Sequence, residues 1–180
     1  MKLLRYILTI LIFLFYFNSF SQDTESAIKD IREKFKTINQ INSYQEIVLN
    51  NEEFLEHMTD GGGHLTGFCR NDTVYKIYTK IGLSFGVHTI EYYYWNEKPI
   101  FIYFIEDTYE QKIDSVHGFL GFNIDKFEKR FEARYYLQND SLLEIKKKGE
   151  SLYKDREIKM KEYLLERAER YLKIVKNKAK

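Results

Sequence analysis

Three patterns of apolar and polar positions follow one another along the chain. The first is a continuous apolar run, Tyr6 to Phe17, broken only by Thr9. The second has the period of a helix. Ile28, Ile31, Phe35, Ile38 and Ile41 recur at spacings of three and four, with Asp30, Arg32, Glu33, Lys34 and Lys36 between them. Such a stripe predicts an amphipathic helix over 24–41, capped by Asp23 or Thr24. Residues 44–57 fit either a short strand at Glu46–Leu49 or a second helix ending near Met58. The third pattern begins after the break at Thr59–Gly63, where the period drops to two.

Three strand–turn–strand units then follow. Leu65–Cys69 and Val74–Thr79 flank Arg70-Asn71-Asp72-Thr73. Thr89–Trp95 and Ile100–Ile105 flank Asn96-Glu97-Lys98-Pro99. Phe131–Leu137 and Leu142–Lys146 flank Gln138-Asn139-Asp140-Ser141. Each turn holds Asn followed by an acidic residue. Asn tolerates the left-handed backbone that tight hairpins demand, so the units read as hairpins and as loose internal repeats. Residues 106–130 read as a polar, glycine-containing interruption, with one or two helical turns at 123–130. A last helical stripe over 150–176 carries Leu152, Tyr163 or Leu164, Ala168, Tyr171, Leu172 and Val175. The sum is an α+β domain: an antiparallel meander of about six strands flanked by N- and C-terminal helices.

The second hairpin departs from simple alternation. Tyr92-Tyr93-Tyr94-Trp95 puts aromatics on both faces of its strand, and Ile100 to Ile105 is apolar throughout. A sheet with one wet face alternates apolar and polar positions. Both faces are therefore expected to be covered. The two terminal helices account for one face. The other is covered by 106–130, or is an aromatic surface open to a ligand. The residues of that candidate surface are Tyr92, Tyr93, Tyr94, Trp95, Phe101 and Tyr103, which suit a peptide, a glycan or an envelope protein.

The opening apolar run changes the picture in another way. Lys2 and Arg5 precede it, and Ser19 and Ser21 occupy the −3 and −1 positions of a cut before Gln22, the pattern of a secretory signal peptide. Its 12 residues fall short of the roughly 20 that span a bilayer. The expected organisation is a signal peptide over 1–21 and one domain over 22–180, exported to the periplasm or beyond, with no stable membrane anchor after cleavage. Of the 28 basic residues the signal takes two and of the 27 acidic ones none, so 26 against 27 remain, a balance of −1. Nucleic acid is not an expected partner for a near-neutral chain. Cys69 is the only cysteine, which excludes an internal disulfide and fits a small core residue.

The candidate catalytic motifs lack the settings their chemistry needs. Asp60-Gly61-Gly62-Gly63-His64 resembles a ligand loop, and Asp60 and His64 could join His57 at a metal. A phosphate loop, however, follows a strand and precedes a helix, and the order here is the reverse. His57, His64, His88 and His117 have no zinc spacing. Gly82-Leu83-Ser84-Phe85-Gly86 spells the nucleophile-elbow letters, but a β-like run follows the serine in place of a helix. His88 and Glu91, three apart on a strand, face opposite ways. The sequence thus reads as a non-enzymatic binding module without cofactor. The alternative is a small periplasmic hydrolase or metal enzyme built on the Asp60/His64 loop.

The stretch Thr59 to Phe68, with Lys76-Ile77, Gly82 to Gly86, Glu91 to Tyr94, Phe101 to Tyr103 and Arg134 to Tyr136, resembles an uncharacterised family of small exported proteins of Bacteroidota-type bacteria. The end of the signal, Phe20-Ser21-Gln22, is similar too. The resemblance implies export and a hairpin sheet, and carries no catalytic residues. Asp72-Thr73-Val74, Asp114-Ser115-Val116 and Asp140-Ser141-Leu142 resemble the O-glycan acceptor triplets of such bacteria.

Overall fold

A computed structural model describes residues 23–152 and 157–179. The expected signal peptide lies outside the described residues. The apolar stripe that opens the domain forms α1 over 23–39. The chain then enters a seven-stranded sheet: β1 (Gln45–Asn50), β2 (Gly63–Arg70), β3 (Thr73–Leu83), β4 (Gly86–Trp95), β5 (Lys98–Asp114), β6 (Gly118–Gln138) and β7 (Ser141–Lys148). Spatial order equals sequence order, and every neighbouring pair is antiparallel. A C-terminal helix, α2 (Glu157–Lys178), completes the domain. This is the expected α+β meander, with one strand more than the hairpin signals gave. The extra strand is β1, the strand option of the ambiguous 44–57 segment.

The three Asn-acidic turns share one geometry. Asn71 and Asp72, Asn96 and Glu97, and Asn139 and Asp140 all have φ between 48° and 62°. Two successive left-handed residues make the tight turn whose twist matches that of the flanking strands. The turn over Ser84-Phe85 has no such residues. There the glycine works by close approach: a Cβ on Gly86 would lie 2.1 Å from the Asp107 carbonyl oxygen. Pro99, which cannot donate to the ladder, sits beside the register shift between Tyr93 and Tyr94.

Each helix covers one face of the sheet. α1 buries Ile28, Ile31 and Ile38 against Tyr93, Phe101 and Tyr136. α2 buries Leu164, Ala168, Tyr171 and Val175 against Leu65, Ile77, Ile90, Tyr92, Tyr94 and Ile102. The expectation that both helices share a face is therefore corrected. A helix on each side explains why the second hairpin is apolar on both faces, because it is the centre of a three-layer α/β/α core. The Tyr94 hydroxyl donates to the Ala168 carbonyl at 2.8 Å and pins α2 to the sheet. Under the same helix, Gly67 leaves room for Val175, whose Cγ1 would stand 2.4 Å from any added Cβ.

Residues 106–130, expected as an interruption with helical turns, are neither. β5 runs 17 residues and β6 runs 21, and they stay paired far beyond the sheet. The pairing of β4 with β5 ends at Gly86↔Thr108, and that of β6 with β7 ends at Glu132↔Lys148. Past those points β5 and β6 form a two-stranded arm over 109–131, closed by the 115–117 turn. Register shifts at Thr108/Tyr109, Tyr109/Glu110 and Lys112/Ile113 hid its alternation in the sequence.

Candidate functional site

The aromatic residues predicted as a ligand surface are brought together, but as core. Tyr92, Tyr93 and Tyr94 are at most 1 % exposed, and Phe101 is also buried. Tyr92 packs edge-on against Tyr171, and Tyr93 packs against Phe35 and Phe101. Only Trp95 and Tyr103 keep partial exposure, and each lies under a cation, Lys34 at 5.6 Å and Arg134 at 5.0 Å. No open ring platform forms at Tyr92–Tyr94 and Phe101, because α1 and α2 occupy both sides.

The Asp60–His64 loop is a structural turn. Gly62 has φ +67°, the Gly61 amide donates to the Gly82 carbonyl, and the Gly82 amide donates to the Gly62 carbonyl. Asp60 and His64 are both exposed, and His64 Nε2 lies 2.9 Å from Thr66 Oγ1. Ser84 sits in the β3–β4 hairpin turn, which is not the strand-to-helix setting an elbow requires. Gly82 is there because a Cβ of its own would stand 2.7 Å from the Gly61 Cα.

His88 has a partner that chain spacing did not reveal. The register sets it directly opposite Glu106, with Nε2 3.8 Å from Oε2. Glu106 is 1 % exposed and accepts from Ser151 Oγ at 3.0 Å and from the Leu152 amide at 2.8 Å. This ties the chain leading to α2 onto the sheet. Burial pulls the His88 imidazole down to about 4, so it is neutral at ordinary pH. With the serine hydrogen-bonded to the carboxylate, the order is not that of a nucleophile–base–acid relay.

His88 also reaches a cleft of about 360 Å³ between α2, the 55–59 segment and the ends of β3 and β4. Leu55, Ile81, Leu83 and Met160 make its apolar lining. His57, Glu56, Lys159 and Arg167 bring polar groups to it. His57 and His88 therefore converge, whereas Asp60 and His64 do not line the cleft. Among the described residues, the two nearby carboxylates are engaged: Glu106 as above, and Glu56 by Arg170, whose hydrogen bond holds the Glu56 carboxyl below its ordinary range. Among the described residues, no group of three or more His, Cys, Asp or Glu is placed to hold a metal ion.

The arm is the second candidate and the one the sequence concealed. Nine large apolar side chains are exposed among the described residues, and six of them are on it: Ile113, Val116, Phe119, Leu120, Ile124 and Phe127. The Tyr109 and Phe127 rings stack at 5.6 Å and 21°, and Phe119 meets Phe122 edge-on at 5.1 Å. At its turn, Asp114 accepts from the Val116 and His117 amides, both at 2.8 Å. The three Asp-Ser/Thr-apolar triplets all fall at hairpin turns, those at Ser115 and Ser141 on exposed residues. The available signal for the arm was the run of apolar residues from Phe119 to Phe127, too irregular in spacing to declare a strand.

Compared with protein-family models, with curated proteins and with solved structures, the chain gives no match.

Proposed function

We propose that this protein is an exported interaction module whose β5–β6 arm docks on the surface of an envelope protein. The observation that carries the reading is the exposure of six large apolar side chains on one projecting ribbon. At roughly 150–250 Å² per large side chain, their exposed fractions amount to on the order of 700 Å². Summed over both faces of the ribbon, that approaches the roughly 800 Å² that one partner contributes to a standard interface. A two-stranded ribbon is at best marginally stable alone, so a covering partner also accounts for its length. Aliphatic and Phe side chains favour a protein surface over a glycan, which calls for more polar groups beside its rings. Export itself rests on the signal-like residues 1–21.

The test is cross-linking in intact cells of the source, wild type against a Phe119→Ser/Leu120→Ser protein. Both side chains are more than half exposed, so the variant is expected to fold normally. One envelope protein captured by wild type and lost in the variant is the expected result. Equal capture by both would overturn the arm as the docking element.

The competing reading, a hydrolase, is favoured by a single observation, the convergence of His57 and His88 on one cleft. It moves the site away from Asp60 and His64. Loss of a measured hydrolytic activity in both His57→Ala and His88→Gln proteins, with folding retained, would establish it.

A further inference from the structure

We infer that the cleft between α2 and the ends of β3 and β4 is a binding site for a carboxylate carried on an apolar body, a free acid or the C-terminus of a peptide. None of the cleft's lining residues belongs to the arm, and Arg167 is the group that marks it as a site. The guanidinium lies over the Tyr163 ring at 4.3 Å, which leaves its in-plane donors to make hydrogen bonds. Nη1 donates to the Tyr171 hydroxyl at 2.7 Å. Nη2 stands 3.6 Å from Glu56 Oε2, beyond hydrogen-bond length. Nε is buried and has no acceptor among the described residues. Nε and Nη2 form one edge of the guanidinium, the fork that takes both oxygens of a carboxylate. A buried donor without an acceptor is costly, and because Nε is closed to water in this arrangement, a bound anion would satisfy it through a small turn of the Arg167 side chain toward the cleft that the side chain already lines.

The surroundings specify the rest of the ligand. Among the described residues that line the cleft, Lys159 and Arg167 are two cations against one carboxylate, Glu56, which Arg170 already engages; Glu106 lies behind His88 and is held by Ser151 and Leu152. That lining is positive, as an anion requires. Leu55, Ile81, Leu83 and Met160 offer no hydrogen bonds, so the body attached to the carboxylate must be apolar. The volume of about 360 Å³ lies at the small end of ligand pockets and suits a molecule of roughly a dozen heavy atoms. Phosphate or sulfate alone would leave the apolar lining unfilled.

Calorimetric titration tests this with four probes: decanoate, decanol, a short peptide ending in Leu-Leu with a free C-terminus, and the same peptide amidated. The expected result is saturable binding of at least one acid, with its uncharged counterpart about tenfold or more weaker. Whichever acid binds tighter identifies the source of the carboxylate. Arg167→Lys keeps the charge and removes the fork, and should weaken the acid by about tenfold. Leu83→Trp fills the cleft without touching the guanidinium and should abolish binding, so the inference stays testable if the arginine variant folds poorly. Failure of both acids to bind below about 1 mM, equal binding of acid and uncharged probe, or wild-type affinity in the folded variants would overturn it.

Discussion

Acid should destabilise this protein through one imidazole, and the size of the effect follows from where His88 lies. An unfolded histidine titrates near 6.5, whereas burial holds His88 at about 4 in the fold. The groups around it are Glu106 at 3.8 Å, the Phe104 ring edge-on at 5.1 Å, Phe85 at 6.4 Å, and across the cleft His57, Glu56, Lys159 and Arg167. Glu106 would favour the cation, but its oxygens already accept from Ser151 and Leu152, so loss of solvation dominates. Because the folded value is the lower one, the unfolded chain binds the proton first. The contribution is complete above pH 6.5 and is lost as the pH falls from 6.5 to 4. Linkage gives a loss of about 2 kcal/mol at pH 5 and about 3 kcal/mol at pH 4. That is a large share of a typical stability of 5–15 kcal/mol. Urea unfolding at pH 7.5, 6.5, 5 and 4, wild type against His88→Gln, isolates the term, since carboxylates elsewhere contribute equally to both. The wild type should lose about 2 kcal/mol more than the variant between pH 7.5 and 5. Parallel curves would refute a buried neutral imidazole. A wild type that gains on the variant in acid would show that the attraction to Glu106 outweighs burial.

Two further predictions concern the core. Gly67→Ala should cost about 1–3 kcal/mol by overpacking, because its Cβ would lie 2.4 Å from Val175 Cγ1. Val175→Ala in the same chain should restore part of it, and strictly additive losses in a double-mutant cycle would exclude the contact. Cys69 is 1 % exposed and burial raises its thiol, so a disulfide-exchange reagent should label it only after denaturation. Rapid labelling of the native protein would contradict its place under α2.

What was legible in the sequence was local. The stripe from Ile28 to Ile38 declares a helix because 3.6-residue spacing has one geometric meaning, and Asn followed by an acidic residue declares a hairpin because those turns need left-handed residues. Even the doubly apolar character of Tyr92–Trp95 correctly indicated that both faces are covered. Which element covers each face was not encoded in any one segment. It depended on α1 and α2 docking on opposite sides, and that docking turned a predicted aromatic surface into core. The arm escaped because period-two patterning needs unbroken register, and the bulges near Tyr109 and Lys112 shift it. The pairing of His88 with Glu106 and the placing of Arg167 and His57 on one cleft link residues far apart along the chain. Only strand register and the packing of α2 on the sheet set those distances, so the chemistry of the cleft belongs to the tertiary structure.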